Sequence, residues 1–253
     1  MSNFKITAVA LGAALAVVAG AQANAATFAD YSAFSNDANL AWTQSGDFAS
    51  GTLATTGVGG VAKTYFSFLD PSLSALSNLG ANFTLTATGS ASDPAQTLFG
   101  QIVEPNLSGS FSFIYSGSAP LTVGSHTYTT GANLLSGTFS GAEIIGPAGG
   151  STGSVQDAIL SGGAITYSSD FLQFSSTGDK GLSLELTSVL PSLNAFGGDS
   201  LNDFSGVSTG SFAADISGGG GGGGVPEPAT WTMLLVGFGA IGASLRRRSL
   251  AVG

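Results

Sequence analysis

The sequence predicts a mainly β protein: a single antiparallel β-sandwich, jelly-roll-like, with one or two short helices. An N-terminal signal helix and a C-terminal transmembrane helix frame it. Three observations carry this expectation. Runs of alternating apolar and polar residues recur through the middle of the chain, and period two marks half-buried strands. Clusters of Gly, Ser and Asp punctuate most of these runs. Both ends, by contrast, are continuous apolar stretches beside basic residues.

The strands follow in order. Residues 83–87 and 109–115 alternate cleanly, and 121–130 reads as a further strand with Tyr128 on its threonine-rich arm. Then come 134–145, 164–174, 182–186 and a last strand over 209–216. Residues 65–68 are strand-like, and Lys63 just before them marks a sheet edge. Lys180, in the turn 179–182, reads as a solvated turn charge. Short strands separated by turn signals favour an antiparallel sandwich.

One helix is expected over 70–80. Asp70 can cap it, Pro71 suits the first helical position, Gly80 can end it, and Leu73, Leu76 and Leu79 form a narrow apolar stripe. A second short helix is expected over 31–40.

The N-terminus reads as an export signal. Lys5 precedes an apolar region over 6–20, and Ala23-Asn24-Ala25 is a small-x-small site that places cleavage after Ala25. Such a signal implies the Sec export machinery and signal peptidase as partners.

At the other end, seven glycines (218–224) lead into Val225-Pro226-Glu227-Pro228-Ala229-Thr230-Trp231. An apolar segment over 229–245 follows, then Arg246, Arg247 and Arg248. As a helix that segment spans about 25 Å, a short crossing of a hydrocarbon core about 30 Å thick. Three successive arginines argue against burial in a core and form a cytoplasmic stop. The chain thus divides into 1–25 (signal), 26–217 (body), 218–224 (linker) and 225–250 (tail). The positive-inside rule leaves both precursor ends in the cytoplasm and the body exported.

The body is strongly acidic. It holds 14 of the 15 acidic residues but only two of the six basic ones, so its net charge is near −12 while the whole chain carries −9. Such a surface repels nucleic acid and anionic lipid. There is no cysteine, which excludes thiol catalysis and thiolate metal sites.

The tail resembles a PEP-CTERM sorting signal of the PEPxxW type. Pro226, Glu227, Pro228 and Trp231 form the box, the apolar helix follows, and Arg246 to Arg248 close it. The resemblance covers about a tenth of the chain. Thr232 stands where alanine usually follows the tryptophan. The resemblance implies recognition by an exosortase, a membrane-embedded transpeptidase of Gram-negative bacteria. It also implies cleavage near Pro226–Pro228, a transient stay in the inner membrane with the body in the periplasm, and delivery to the cell surface or extracellular matrix. The family is linked to exopolysaccharide and biofilm. The prolines hold the box extended, a form a processing cleft can read.

The body itself carries little chemistry. His126 is the one histidine, and no nucleophile elbow accompanies it. Glu104, Glu143, Asp170 and Glu185 are the candidate carboxylates for glycan hydrolysis, but no spacing pairs them. Asp199, Asn202 and Asp203 in Gly197-Gly198-Asp199-Ser200-Leu201-Asn202-Asp203 offer oxygen ligands for calcium. Trp42, Tyr65, Tyr115, Tyr128 and Tyr167 are available for sugar faces. The expectation is a non-enzymatic exported surface or matrix protein without a required cofactor. The alternatives are a polysaccharide-binding lectin or adhesin, with or without calcium, and a secreted glycan hydrolase.

Overall fold

The computed structural model describes residues 25–157, 163–195 and 199–216. The signal segment with Ala23, the glycine linker and the whole tail lie outside the described residues. So do Gly197 and Gly198 of the calcium candidate.

Alternation makes strands here. Fourteen are described: β1 (Thr27–Ala33), β2 (Leu40–Gln44), β3 (Gly51–Thr55), β4 (Ala62–Phe68), β5 (Leu79–Thr88), β6 (Gln96–Leu98), β7 (Gln101–Tyr115), β8 (Leu121–Val123), β9 (His126–Tyr128), β10 (Asn133–Pro147), β11 (Gly153–Asp157), β12 (Ala164–Ser168), β13 (Lys180–Leu190) and β14 (Phe204–Ala214). In β5 every second residue from Ala81 to Ala87 is buried, and Asn82, Thr84, Thr86 and Thr88 face outward. The fold is mainly β and antiparallel, as expected. One large antiparallel sheet closes on itself, because its ladders return to their start: β14 pairs β1, then β4, β5, β7, β10, β11, β13 and again β14.

The core is aromatic. Phe83 of β5 stacks on Phe113 of β7 with centroids 4.5 Å apart, and Tyr31 of β1 lies 4.8 Å from Phe113. Phe111 stacks across the core on Phe212 of β14 at 5.2 Å. Each such ring contributes about 1.5–3 kcal/mol by leaving water, with a smaller gain from ring geometry. With no disulfide available, this packing and the closed ladders hold the fold. Gly109 marks one close approach: a Cβ there would sit 2.3 Å from the Thr86 carbonyl oxygen on β5.

Several expected elements differ. The helix over 70–80 does not form. Asp70 caps a turn instead, accepting from the Ser72 amide at 2.9 Å. Leu73 and Leu76 then donate to the carbonyls three residues back, and Asn78 takes a left-handed φ of 52°. A leucine every three residues matches successive tight turns better than the 3.6 period of an α-helix. Leu79 and Gly80 begin β5. Residues 31–40 are not helical either; β1 runs to Ala33 and β2 starts at Leu40. A single 3-10 turn, Val58–Gly60, is the helical element among the described residues.

The strand expected over 121–130 is a hairpin, β8–β9, turning at Gly124 with φ 59°. The run 164–174 is strand only to Ser168. Lys63 is not at an edge, because β4 is hydrogen-bonded to β1 on one side and β5 on the other. Nor is Lys180 a free charge: its Nζ donates to the Ser175 carbonyl at 2.8 Å and the Gly178 carbonyl at 3.2 Å.

Candidate functional site

The most built feature of the surface is a seam in the sheet. Strands β5 and β14 are each shared by two ladders at different heights. Near one end β1 and β4 lie between them; further along, β2 and β3 take that place. Where the ladders change over, backbone groups would be left unpaired, and side chains stand in for the missing strand. Ser208 lies between the two ladders of β14. Its N–H donates to Asn39 Oδ1 at 2.7 Å, and its carbonyl accepts from Asn39 Nδ2 at 3.3 Å. On β5, the Leu85 N–H donates to Thr55 Oγ1 at 3.2 Å, and that hydroxyl donates to the Gly60 carbonyl at 2.5 Å. Tyr31 completes the buried floor, its OH donating to Ser208 Oγ at 2.9 Å. Burial pushes that phenol's pKa well up and keeps it neutral.

Above this floor lies an open groove of about 520 Å³. Residues of the 34–39 and 56–61 loops form its walls, Phe34, Val58 and Val61 supplying apolar surface. Phe34 is 59% exposed and packs on Tyr65 with centroids 5.2 Å apart. Asp37, Lys63 and Asn82 supply polar groups. Lys63 Nζ donates to Asn82 Oδ1, and Ser35 Oγ donates to Asp37 Oδ2 at 3.0 Å. The sequence reading did not anticipate this groove, because Phe34 fell in an expected helix. The polar break Ser35-Asn36-Asp37 within alternating residues was the available signal.

A buried carboxyl is the second notable feature. Glu104 of β7 is wholly buried; its Oε2 accepts from the Leu201 amide at 2.9 Å, and its Oε1 has no hydrogen-bond partner. Burial raises its pKa, and the Leu201 N–H offsets part of the rise. The Ser200 hydroxyl lies near enough to favour the charged form weakly, but is outside hydrogen-bonding geometry. Trp42 donates from Nε1 to the Leu201 carbonyl at 2.9 Å, so the same loop is pinned twice.

That loop contains the calcium candidates. Asp203 Oδ1 accepts from the Gln44 amide at 2.6 Å, and the Asn202 amide donates to the Asn194 carbonyl at 2.9 Å. Asp199 and Asn202 are half-buried, and Asp203 is exposed. Among the described residues, no three His, Cys, Asp or Glu side chains converge as a metal site.

The other candidates are dispersed. His126 is exposed at the start of β9, its ring 6.4 Å from Tyr128. Glu143 on β10 accepts from Gln156 Nε2 at 3.1 Å, Glu185 is exposed on β13, and Asp170 accepts from the Asn133 amide at 2.7 Å. Glu104 is inside, and none of these four carboxylates lines the seam groove. Of the five named aromatics, Trp42 and Tyr115 are core; Tyr128 packs against Phe171 in a tilted contact at 4.2 Å, and Tyr167 donates to the Gly181 carbonyl. Only Tyr65 borders the seam. Asp157 was not singled out by sequence, yet burial pushes its pKa up to about 6 against a hydrogen bond from the Leu182 amide. No helix among the described residues is long and apolar enough to cross a membrane.

Against known proteins, the model of the PEP-CTERM protein-sorting motif matches residues 224–248. Neither the curated proteins nor the solved structures yield a match. The tail is thus a PEP-CTERM sorting motif: the chain carries the address of an exported protein that an exosortase processes, directed to the cell envelope.

Proposed function

We infer that this chain is a non-enzymatic exported protein of the cell surface or extracellular matrix. Sec export and signal peptidase cleavage after Ala25 deliver it, and an exosortase cuts the tail near Pro226–Pro228. The freed body then associates with exopolysaccharide, as a component of a biofilm matrix.

The observation that carries this is the sorting motif at 224–248, attached by seven glycines to the last strand of a closed β body. Geometry is compatible with it. Thr27 of β1 is paired with Ala213 of β14, so both ends of the body leave at the same end of the sheet. A seven-residue glycine run reaches roughly 15 Å as a coil, enough to hold the box clear of the body. The scattered carboxylates and lone exposed histidine support the non-enzymatic reading. The lectin alternative is favoured by one specific feature, the seam groove.

The reading is tested by fractionation with mass spectrometry. Protein recovered from the surface or medium should end near the Pro226–Pro228 box, and matrix polysaccharide should co-purify with it. A surface form that retains Arg246 to Gly253 would sink the sorting step. Processed protein without polysaccharide would leave the sorting and remove the matrix association.

A further inference from the structure

The seam groove combines an exposed ring, a ring of hydroxyl and amide groups, and an unpaired cation. The cation is the informative part. The body has two lysines among 14 acids. Lys180 is occupied by the carbonyls of Ser175 and Gly178. Lys63 pairs with no carboxylate among the described residues; it is exposed, and its Nζ contacts the neutral Asn82 amide. Among the described residues Lys63 is the exposed lysine without an acid partner, so it offers an anion a contact even though Asp37 lines the same groove.

The other groups say what kind of anion. Phe34 is more than half exposed, with Tyr65 packed against it, so an apolar ligand face has a platform to lie on. Ser35, Asp37 and Asn82 surround that platform with donors and acceptors suited to hydroxyls. An aliphatic acid would not use the hydroxyl, amide and carboxylate groups, and a phosphate would not use the rings. The groove's volume of about 520 Å³ suits one or two rings of a small ligand.

We propose that this groove binds a uronic-acid residue of a polysaccharide. The sugar face lies on Phe34, the carboxylate meets Lys63, and the hydroxyls meet Asn82, Ser35 and Asp37. This deepens the matrix reading and rests on it for the presence of such a polymer. Net repulsion between a −12 body and a polyanion does not prevent it, because fields beyond a Debye length of about 8 Å are screened at physiological salt while a contact pair is screened less.

The test is calorimetric titration of the full-length chain, in detergent, with a galacturonic acid trimer and with the neutral galactose trimer. The acidic trimer should bind several-fold more tightly. Lys63→Met should cut that preference by about two- to fivefold, the worth of an exposed ion pair. Phe34→Ala should weaken both trimers by up to roughly tenfold, the worth of a ring contact. Both residues are exposed, so neither change threatens the fold. Equal binding of the two trimers, a preference surviving Lys63→Met, or no binding at millimolar ligand would overturn the proposal. A double variant still retained in the native matrix would also overturn the groove's role while sparing the matrix reading. Uronate binding by a protein found free of the matrix would do the reverse.

Discussion

Replacing Asp157 by Asn should stabilise the folded chain at neutral pH. Asp157 closes β11, and its Oδ2 accepts from the Leu182 amide on β13 at 3.1 Å. Burial outweighs that bond and pushes the carboxyl from 3.8 up to about 6. The unfolded chain therefore loses this proton near pH 3.8 and the folded chain near 6. Between those values folding takes up a proton, so stability falls as pH rises. The contribution is fully present below about 3.8 and gone above about 6. A shift of about two units corresponds to about 3 kcal/mol at ~1.4 kcal/mol per unit. Solvent reaches part of the carboxyl, and screening reduces the figure to about 1–2 kcal/mol.

Asn keeps an oxygen for the Leu182 amide and cannot ionise. Urea unfolding at pH 4, 5, 6 and 7.5 would read the difference, using Trp42 emission with Trp231 replaced by Phe. Asp157→Asn should gain about 1 kcal/mol at pH 7.5 and lose its share of the slope between pH 4 and 6. A residual slope of the same sign should remain from Glu104, whose pKa burial also raises, and Glu104→Gln should remove it. Asp47 and Asp93 act with the opposite sign, since serine hydroxyls hold their pKa values down, but their window lies below 3.8. Identical slopes for Asp157→Asn and wild type, or a less stable variant at pH 7.5, would refute the reasoning.

Three further outcomes are expected. Alanines at Pro226, Glu227 and Pro228 should leave uncut precursor in the membrane fraction, read as a larger band on a blot; normal processing would contradict the assignment of the box. Gly109→Val should destabilise by about 3 kcal/mol or more in urea unfolding, because its Cβ would strike Thr86 and Ala87 backbone atoms that cannot move without opening the β5–β7 ladder. Millimolar calcium should leave the melting temperature unchanged, since Asp203 is already engaged by the Gln44 amide; a rise of several degrees would restore the 199–203 loop as a metal site.

Strand identity was legible because it depends on alternation, which is written locally. Phe83, Leu85 and Ala87, or Phe111, Phe113 and Tyr115, could hardly face anywhere but inward. The misread segments are those where a local signal had two readings. Asp70-Pro71 with leucines every three residues fits a capped helix on paper, but Leu79 was needed by β5. Residues 31–40 mix two destinations, since Tyr31 belongs to the core and Phe34 to the groove wall. The seam was not legible at all. It arises because two ladders share β5 and β14 at different heights, and pairing between residues as distant as Asn39 and Ser208 leaves no periodic trace. The sorting motif is the opposite case: it is read by another protein as linear sequence, so its whole content lies in the order of residues.

The two halves of the molecule meet at β14, and their junction constrains how the tail can be used. β14 is not a peripheral strand. It is bonded along most of its length to β13, and on its other side to β1 and β2. Its last residues are held further by the Ala214 amide, which donates to the Ala26 carbonyl at 3.1 Å, and by the bridge between Phe174 and Ile216. The box follows the glycine run 218–224, so the cut falls past Ile216, the last described residue of the body. Tension on an uncut or transferred tail would instead load β14 along its own axis, shearing several ladders at once rather than peeling one bond after another. A body anchored through this strand would therefore pass the load into an element that is paired on both sides, to β13 on one and to β1 and β2 on the other.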